Sequence, residues 1–331
     1  MLTIIIPLFS GVVMFFIPKK ERRAQEGLLI FASLANLVLA VFLFQQNFTY
    51  NLPWIDSGIE LSFRLYHFSG FMLLATAFLG FLIALYSVIF MRGKNFLNQF
   101  YGYFLLCLAF SNVVFLSDNL LVLFFFWEGL LLSLFGMIAV GNKDAFKAAT
   151  KAFIIIGVTD LCMMLGIALT GHLSGTMTIS KINLPLNNAV ASLAFILLMI
   201  GAISKGGAMP FHSWIPDAAT DAPLPFMSFV PGAMEKLWGI YFLTKISLDL
   251  FQLNTHSSLS TVLMAIGGIT IILAVMMALI QKDYKRLLSY HAISQVGYMI
   301  LGVGTALPAG IVGGLFHMIN NALYKSGLFL T

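Results

Sequence analysis

The chain of 331 residues is 60% apolar, 14% aromatic and 9% charged, with a mean hydropathy of +0.96. Ordinary soluble domains carry roughly 25% charged residues, so eighteen basic and thirteen acidic side chains cannot clothe a protein of this size in water. The composition excludes a soluble enzyme, a nucleic-acid binder and a disordered tail, and the formal charge of +5 reads as basic residues gathered on one side of a membrane.

A membrane-crossing helix needs about 20 mainly apolar residues. The sequence predicts an all-α polytopic membrane protein of about eleven transmembrane helices, at 2–17, 27–45, 70–90, 100–116, 119–140, 150–170, 189–208, 225–244, 259–280, 287–305 and 309–331. The first run, Leu2 to Ile17, is followed and not preceded by its basic cluster, Lys19, Lys20, Arg22 and Arg23. That order is the reverse of a cleavable signal peptide and suits a first helix with its N-terminus outside. The stretch 46–69, with Pro53, Asp56, Glu60 and Arg64, is the one long polar interruption and is expected to hold short strands or an interfacial segment. Cys107 and Cys162 lie in separate apolar runs and read as small core fillers.

Loop charges set the orientation. The odd-numbered loops carry twelve basic residues (Lys19, Lys20, Arg22, Arg23, Arg92, Lys94, Lys143, Lys147, Lys151, Lys282, Lys285 and Arg286); the even-numbered loops carry three, Arg64, Lys181 and Lys245. Positive residues favour the cytoplasmic side. The expectation is a multi-pass protein integral to the cell (inner) membrane, with the N-terminus outside and the odd loops inside.

Three lysines remain, Lys205, Lys236 and Lys325, all within apolar segments. Intramembrane ionisable groups are costly and usually have partners and a function. Glu128 stands about nine residues into segment five. Lys205 is followed directly by Gly206-Gly207-Ala208-Met209-Pro210, where a helix weakens or breaks. Gly206, Gly207 and Pro210 therefore mark a broken-helix hinge, and broken membrane helices are tolerated where they line a cavity. A lysine snorkelling at a helix end is the plainer alternative. Lys236 lies about eleven residues into segment eight; Glu235 precedes it but points about 100° away, so the two need not pair. His317, Asn321 and Lys325 recur every fourth residue, and positions so spaced line one helix face. They form either a hydrated path or interhelical hydrogen-bonding glue. His291 and Asn321 form a second tier of relay candidates, and Asp160 reads as a member of a structural pair.

Buried carboxylates, lysines and histidines suit stepwise proton transfer, because burial penalises whichever form is charged and a nearby opposite charge restores it. Glu128, Lys205, Lys236, His317 and Lys325 would make a lateral proton relay. No Walker, Rossmann or cysteine-cluster motif is present, which predicts no cofactor and no metal in this chain, and no catalytic redox site of its own.

The segments Phe126-Trp127-Glu128-Gly129-Leu130 and Lys205-Gly206-Gly207-Ala208-Met209-Pro210-Phe211-His212-Ser213-Trp214-Ile215-Pro216-Asp217-Ala218 resemble the antiporter-like subunits of respiratory complex I, Mrp-type cation/proton antiporters and energy-converting hydrogenases. Lys282-Asp283-Tyr284-Lys285-Arg286-Leu287-Leu288-Ser289-Tyr290 and the run from His317 to Lys325 are similar to that family's tenth and eleventh helices. The resemblance implies inverted five-helix repeats, helices four to eight and nine to thirteen, the second one incomplete here. It divides the chain into helices one to three (1–99), a first repeat (100–248) and the start of a second (259–331). It also implies that Glu128 modulates Lys205, that Lys236 relays, and that His317 and Lys325 continue a central polar axis. Because the chain stops in segment eleven, it is expected to be a fragment or a split subunit; the stretch after Asp217 leans toward hydrogenase-associated relatives. Expected partners are other membrane and peripheral subunits of a redox complex, the lipid bilayer, and protons or Na⁺. Two other readings remain: a stand-alone or Mrp-like Na⁺/H⁺ antiporter subunit, and a non-conducting structural membrane subunit.

Overall fold

The computed structural model of the chain describes residues 1–55, 59–142 and 144–331. Asp56 of the long polar loop and Lys143 among the loop charges lie outside the described residues. In chain order the elements are α1 (Leu2–Phe16), α2 (Arg22–Leu43), β1 (Phe48–Ile55), β2 (Ile59–Leu65), α3 (His67–Phe90), α4 (Leu97–Leu116), α5 (Leu120–Ala139) and α6 (Ala145–Ser174). They continue with β3 (Leu184–Pro185), α7 (Ala189–Lys205), α8 (Trp214–Asp221), α9 (Leu224–Phe229), α10 (Glu235–Lys245), β4 (Phe251–Gln252), α11 (Ser258–Leu279), α12 (Tyr284–Gly304) and α13 (Pro308–Leu330). A helix thus stands at each predicted segment. By length and composition α2, α3, α4, α5, α6 and α11 suffice to cross a membrane, whereas α1 and α7 are apolar but shorter.

Local sequence explains many of the boundaries. Asn119, Asn188, Ser257 and Asp283 each accept a backbone N–H of the following first turn, capping α5, α7, α11 and α12. The eighth segment is not one regular helix. It runs through α9, a π turn (Val230–Met234), α10 and a second π turn (Ile246–Leu250). Pro231 lacks the N–H that an α-helical turn requires, and the wider turn accommodates it.

Two compact units share the chain. The first comprises Met1–Thr150, Asp221–Phe229 and Leu330. Here α4 packs on α1, α3 and α5, and α2 on α1 and α3. Asn112 of α4 ties three helices together, its amide donating to Thr3 O (2.6 Å) on α1 and to Asn36 Oδ1 (2.8 Å) on α2. α9 packs on α3, with Phe229 stacked on Phe104 at 4.1 Å. The polar stretch is an antiparallel β1–β2 hairpin.

The second unit comprises Lys151–Thr220, Val230–Phe329 and Thr331; α7 packs on α10 and α11 on α12. On α6, Ile154, Val158, Leu161 and Leu165 are exposed while Thr159 and Asp160 are buried. Apolar side chains outside and polar ones inside are the arrangement a lipid solvent demands.

Within each unit, loops of the same parity meet. In the first, Phe63 of the hairpin bridges Ser117 and Asp118 N donates to Ser62 O at 2.8 Å, joining the second and fourth loops. The Lys19 ammonium sits 4.7 Å over the Phe96 ring, joining the first and third. In the second, β3 pairs with β4, joining the sixth and eighth. Asp217 binds both Lys151 (2.6 Å) and Arg286 (3.2 Å), joining the N-terminal part of α6 to that of α12.

Candidate functional site: two buried ion pairs at a helix break

α7 ends at Lys205. Gly206 caps it, and Gly207 adopts φ +80°, a conformation that disfavours any side chain. A cis Met209–Pro210 peptide and a short 3₁₀ turn, Phe211–Ser213, follow before α8 begins. The backbone thus leaves the α7 helix at Gly206 and turns at Gly207 before α8 begins.

The last residue of α7 meets a carboxylate. Lys205 Nζ lies 3.0 Å from Asp160 Oδ2 of α6, and both side chains are 1% exposed. One residue earlier on each helix, the Thr159 and Ser204 hydroxyls stand 2.7 Å apart. Two polar contacts in matching register thus fasten α6 to the end of α7. Asp160, expected from the sequence to belong to a structural pair, has as its partner Lys205, itself a relay candidate.

A second pair lies just past the break. Lys236 Nζ contacts Glu235 Oε1 and Pro231 O, and both side chains are fully buried. Helix geometry does not require adjacent Glu235 and Lys236 to pair, yet in the structure they do. Their Cβ directions diverge, but the long lysine stem reaches back across the π turn toward the Pro231 carbonyl and brings the ammonium to the glutamate. Among the described residues Glu235 Oε2 has no hydrogen-bond partner, so one oxygen of a buried carboxylate remains available.

Two glycines hold this pair against the break. A Cβ on Gly207 would stand 2.9 Å from Glu235 Oε1 and 2.7 Å from Ile215 Cδ1. A Cβ on Gly239 would stand 2.6 Å from Ala202 O and from the Gly206 N and Cα. Only hydrogen at both positions lets α10 lie directly on the end of α7, the small-residue packing that membrane helices favour.

The polar stripe of α13 continues on α12. Asn321 Nδ2 donates to the Tyr324 hydroxyl (2.8 Å), which donates to Gln295 Oε1 (3.0 Å). Lys325 is buried, with its ammonium 5.7 Å from the Tyr324 ring centre. It lies within electrostatic range of Lys236 and of His291. His317 packs edge-on against Tyr298 at 5.6 Å, and its Nε2, like Nδ1 of His291, is buried without a hydrogen-bond partner among the described residues. Tyr324 is a functional candidate that the stripe alone does not single out. Lys205, Lys236, His291, His317, Asn321 and Lys325 all belong to the second unit; Glu128 belongs to the first, half-buried on α5 beside the buried Trp127.

The Asp217 clasp closes one end of the break. Lys151 also donates to Ser213 O at 3.1 Å, so the 3₁₀ turn and α8 are both tied to α6.

Residues 117–331, which hold every one of these groups, match the family model described as NADH:quinone oxidoreductase/Mrp antiporter, TM. The chain is 33% identical over 289 residues to NADH-quinone oxidoreductase subunit L of Pseudomonas aeruginosa, covering 84% of this chain and 46% of that protein. It is also 33% identical over 289 residues to hydrogenase-4 component B of Escherichia coli, covering 82% of this chain and 43% of the relative. The chain thus spans less than half the length of these two relatives. Among solved structures, a chain of the Mrp complex from Dietzia sp. superposes with a TM-score of 0.89 at 24% identity, over 99% of this chain and 36% of that one. That likeness is one of fold. The family match over most of the chain carries the assignment: this is an integral, multi-pass membrane protein belonging to the NADH:quinone oxidoreductase/Mrp antiporter transmembrane family.

Proposed function

We propose that the chain is a proton-translocating, antiporter-like membrane subunit of a redox-driven complex. The observation that carries this reading is the placing of two buried ion pairs, Asp160–Lys205 and Glu235–Lys236, about one helix break, with Glu235 against the backbone of Gly207 two residues past Lys205. A buried ammonium keeps its charge through a carboxylate in contact. Movement at the break that parts Lys205 from Asp160 leaves the ammonium uncompensated, and transferring its proton onward relieves the lysine's share of that cost, with Asp160 left to take up the next proton. Lys236, once it has passed its own proton toward Lys325, is the next acceptor in line, with Glu235 as the counter-charge of its protonated form, and Lys325, His291 and His317 extend the route along α12 and α13.

The same reading takes all eleven segments as crossing the membrane, with the N-terminus outside and the basic odd-numbered loops inside; the meeting of like-parity loops within each unit supports it. Electron transfer belongs to partner subunits, both membrane-embedded and peripheral. The names of the two curated relatives, a quinone oxidoreductase subunit and a hydrogenase component, point to such an assembly.

The test is proton pumping by the assembled complex carrying Lys205→Ala or Glu128→Gln. Lys205→Ala is expected to abolish pumping while the protein still inserts and assembles. If both variants pump and support coupled turnover like wild type, the relay fails and the chain is a structural subunit. Replacing external Na⁺ with K⁺ separates the ions: pumping that continues unchanged is proton-borne, and pumping that stops identifies a Na⁺/H⁺ antiporter.

A further inference from the structure

A cavity of about 150 Å³ opens in the first unit where the α1–α2 turn meets the α3–α4 loop, far in sequence from the ion pairs. It is lined by Lys19, Gln25, Lys94, Asn95, Phe96 and Asn98, with Leu97 beside them. Two observations on it point to a ligand. First, it brings two exposed lysines together, and among the described residues no acidic side chain lines it. Second, Gln25 and Asn98 are 1% and 8% exposed, and their amide nitrogens are spent on Pro18 O (3.0 Å) and Phe15 O (3.4 Å). Their oxygens, Gln25 Oε1 and Asn98 Oδ1, have no donor among the described residues. A buried acceptor left without a donor is costly, and here two line the same cavity as two ammonium groups.

We infer that this cavity binds the headgroup of a hydroxyl-bearing anionic phospholipid. The phosphodiester sits between Lys19 and Lys94, and headgroup hydroxyls donate to Gln25 and Asn98. A lipid is favoured over free phosphate because an apolar track leads away from the cavity. Ile5, Phe9, Val12 and Phe16 of α1 are 53%, 68%, 45% and 80% exposed, and their spacing of three and four residues aligns them on one face. Phe16 ends that track three residues before Lys19, which lines the cavity, and an acyl chain descending from the headgroup would lie along it.

The test is native mass spectrometry of the intact, delipidated protein in neutral detergent, titrated with phosphatidylglycerol. Each lysine near an anionic headgroup is worth about fivefold in affinity, so Lys19→Gln with Lys94→Gln should weaken binding about twenty-fivefold. Wild type should also prefer phosphatidylglycerol to phosphatidylcholine by about tenfold or more. Lys20→Gln, an exposed lysine that does not line the cavity, should leave the affinity within about twofold. Phosphatidylethanol, which keeps the charge and lacks the hydroxyls, should bind several-fold more weakly than phosphatidylglycerol. Equal binding of the two would overturn the role given to Gln25 and Asn98. A double variant that binds like wild type, or a Lys20→Gln loss as large as the double variant's, would overturn the site. Displacement of the lipid by millimolar inorganic phosphate would overturn its assignment to a lipid.

Discussion

Replacing Asp160 with asparagine removes one charge and almost no volume from the interior of the second unit. The Lys205–Asp160 separation is 3.0 Å and both side chains are 1% exposed. At an effective dielectric of about 20 the attraction at that distance is about 5 kcal/mol. Breaking a buried pair by removing one partner costs about 3–5 kcal/mol net, because the remaining charge is left uncompensated. Asp160→Asn and Lys205→Met should each destabilise by that amount. The double variant, with no charge left to strand, should cost less than either single change, a coupling of at least about 3 kcal/mol. Denaturant unfolding of the purified protein in detergent measures all four forms. The double variant should also be inactive in proton translocation despite its recovered stability, which separates a relay from a scaffold. Single variants that cost under about 1 kcal/mol, or a double variant that costs their sum, would show that the two residues do not form an energetically coupled pair.

Gly239→Ala places a methyl group 2.6 Å from the backbone of α7, where ordinary contact begins at 3.4 Å, so the helices must part by about 0.8 Å. Overpacking of this kind costs about 1–3 kcal/mol; a lowered Tm together with reduced translocation is expected, and wild-type values of both would contradict the close approach. Asp217→Asn breaks two ion pairs whose side chains are about 40% exposed; surface pairs contribute at most about 1 kcal/mol each, so the loss in Tm should be small and should shrink as salt rises, while a salt-independent loss would assign Asp217 another role. Asn112→Ala in the first unit removes the donor to Thr3 and Asn36; about 1–3 kcal/mol of stability should go, with translocation per folded molecule unchanged, and a selective loss of translocation would place Asn112 on the proton route.

Much of this architecture is legible along the chain because a bilayer imposes local rules. Backbone polar groups must be satisfied within each segment, and a segment must be long enough to cross. Hence the helical segments, the capping residues Asn119, Asn188, Ser257 and Asp283, and the break after Lys205 can all be read from neighbouring residues. The irregular eighth segment is half-legible: Pro231 signals a disturbance, but an α-helix kinked at proline and a π turn leave the same trace in sequence. The polar loop is similar, since its composition admits strands or an interfacial segment and only the pairing of Phe48 with Leu65 through Ile55 with Ile59 decides for a hairpin.

The sequence by itself determined that this is a membrane protein, where its helices run, and that its ionisable groups within apolar segments need an explanation. Tertiary structure alone decided their partners. Asp160 joins Lys205 across 45 positions because α6 and α7 pack in one particular register, and Glu235 meets Lys236 because the turn at Pro231 is widened. The Gly239 contact, the Asp217 clasp and the Asn321–Tyr324–Gln295 chain likewise depend on which helix lies beside which. A helical pattern tells which face a residue occupies on its own helix, but a charge pair needs two helices at a set rotation and height, and no local periodicity encodes that.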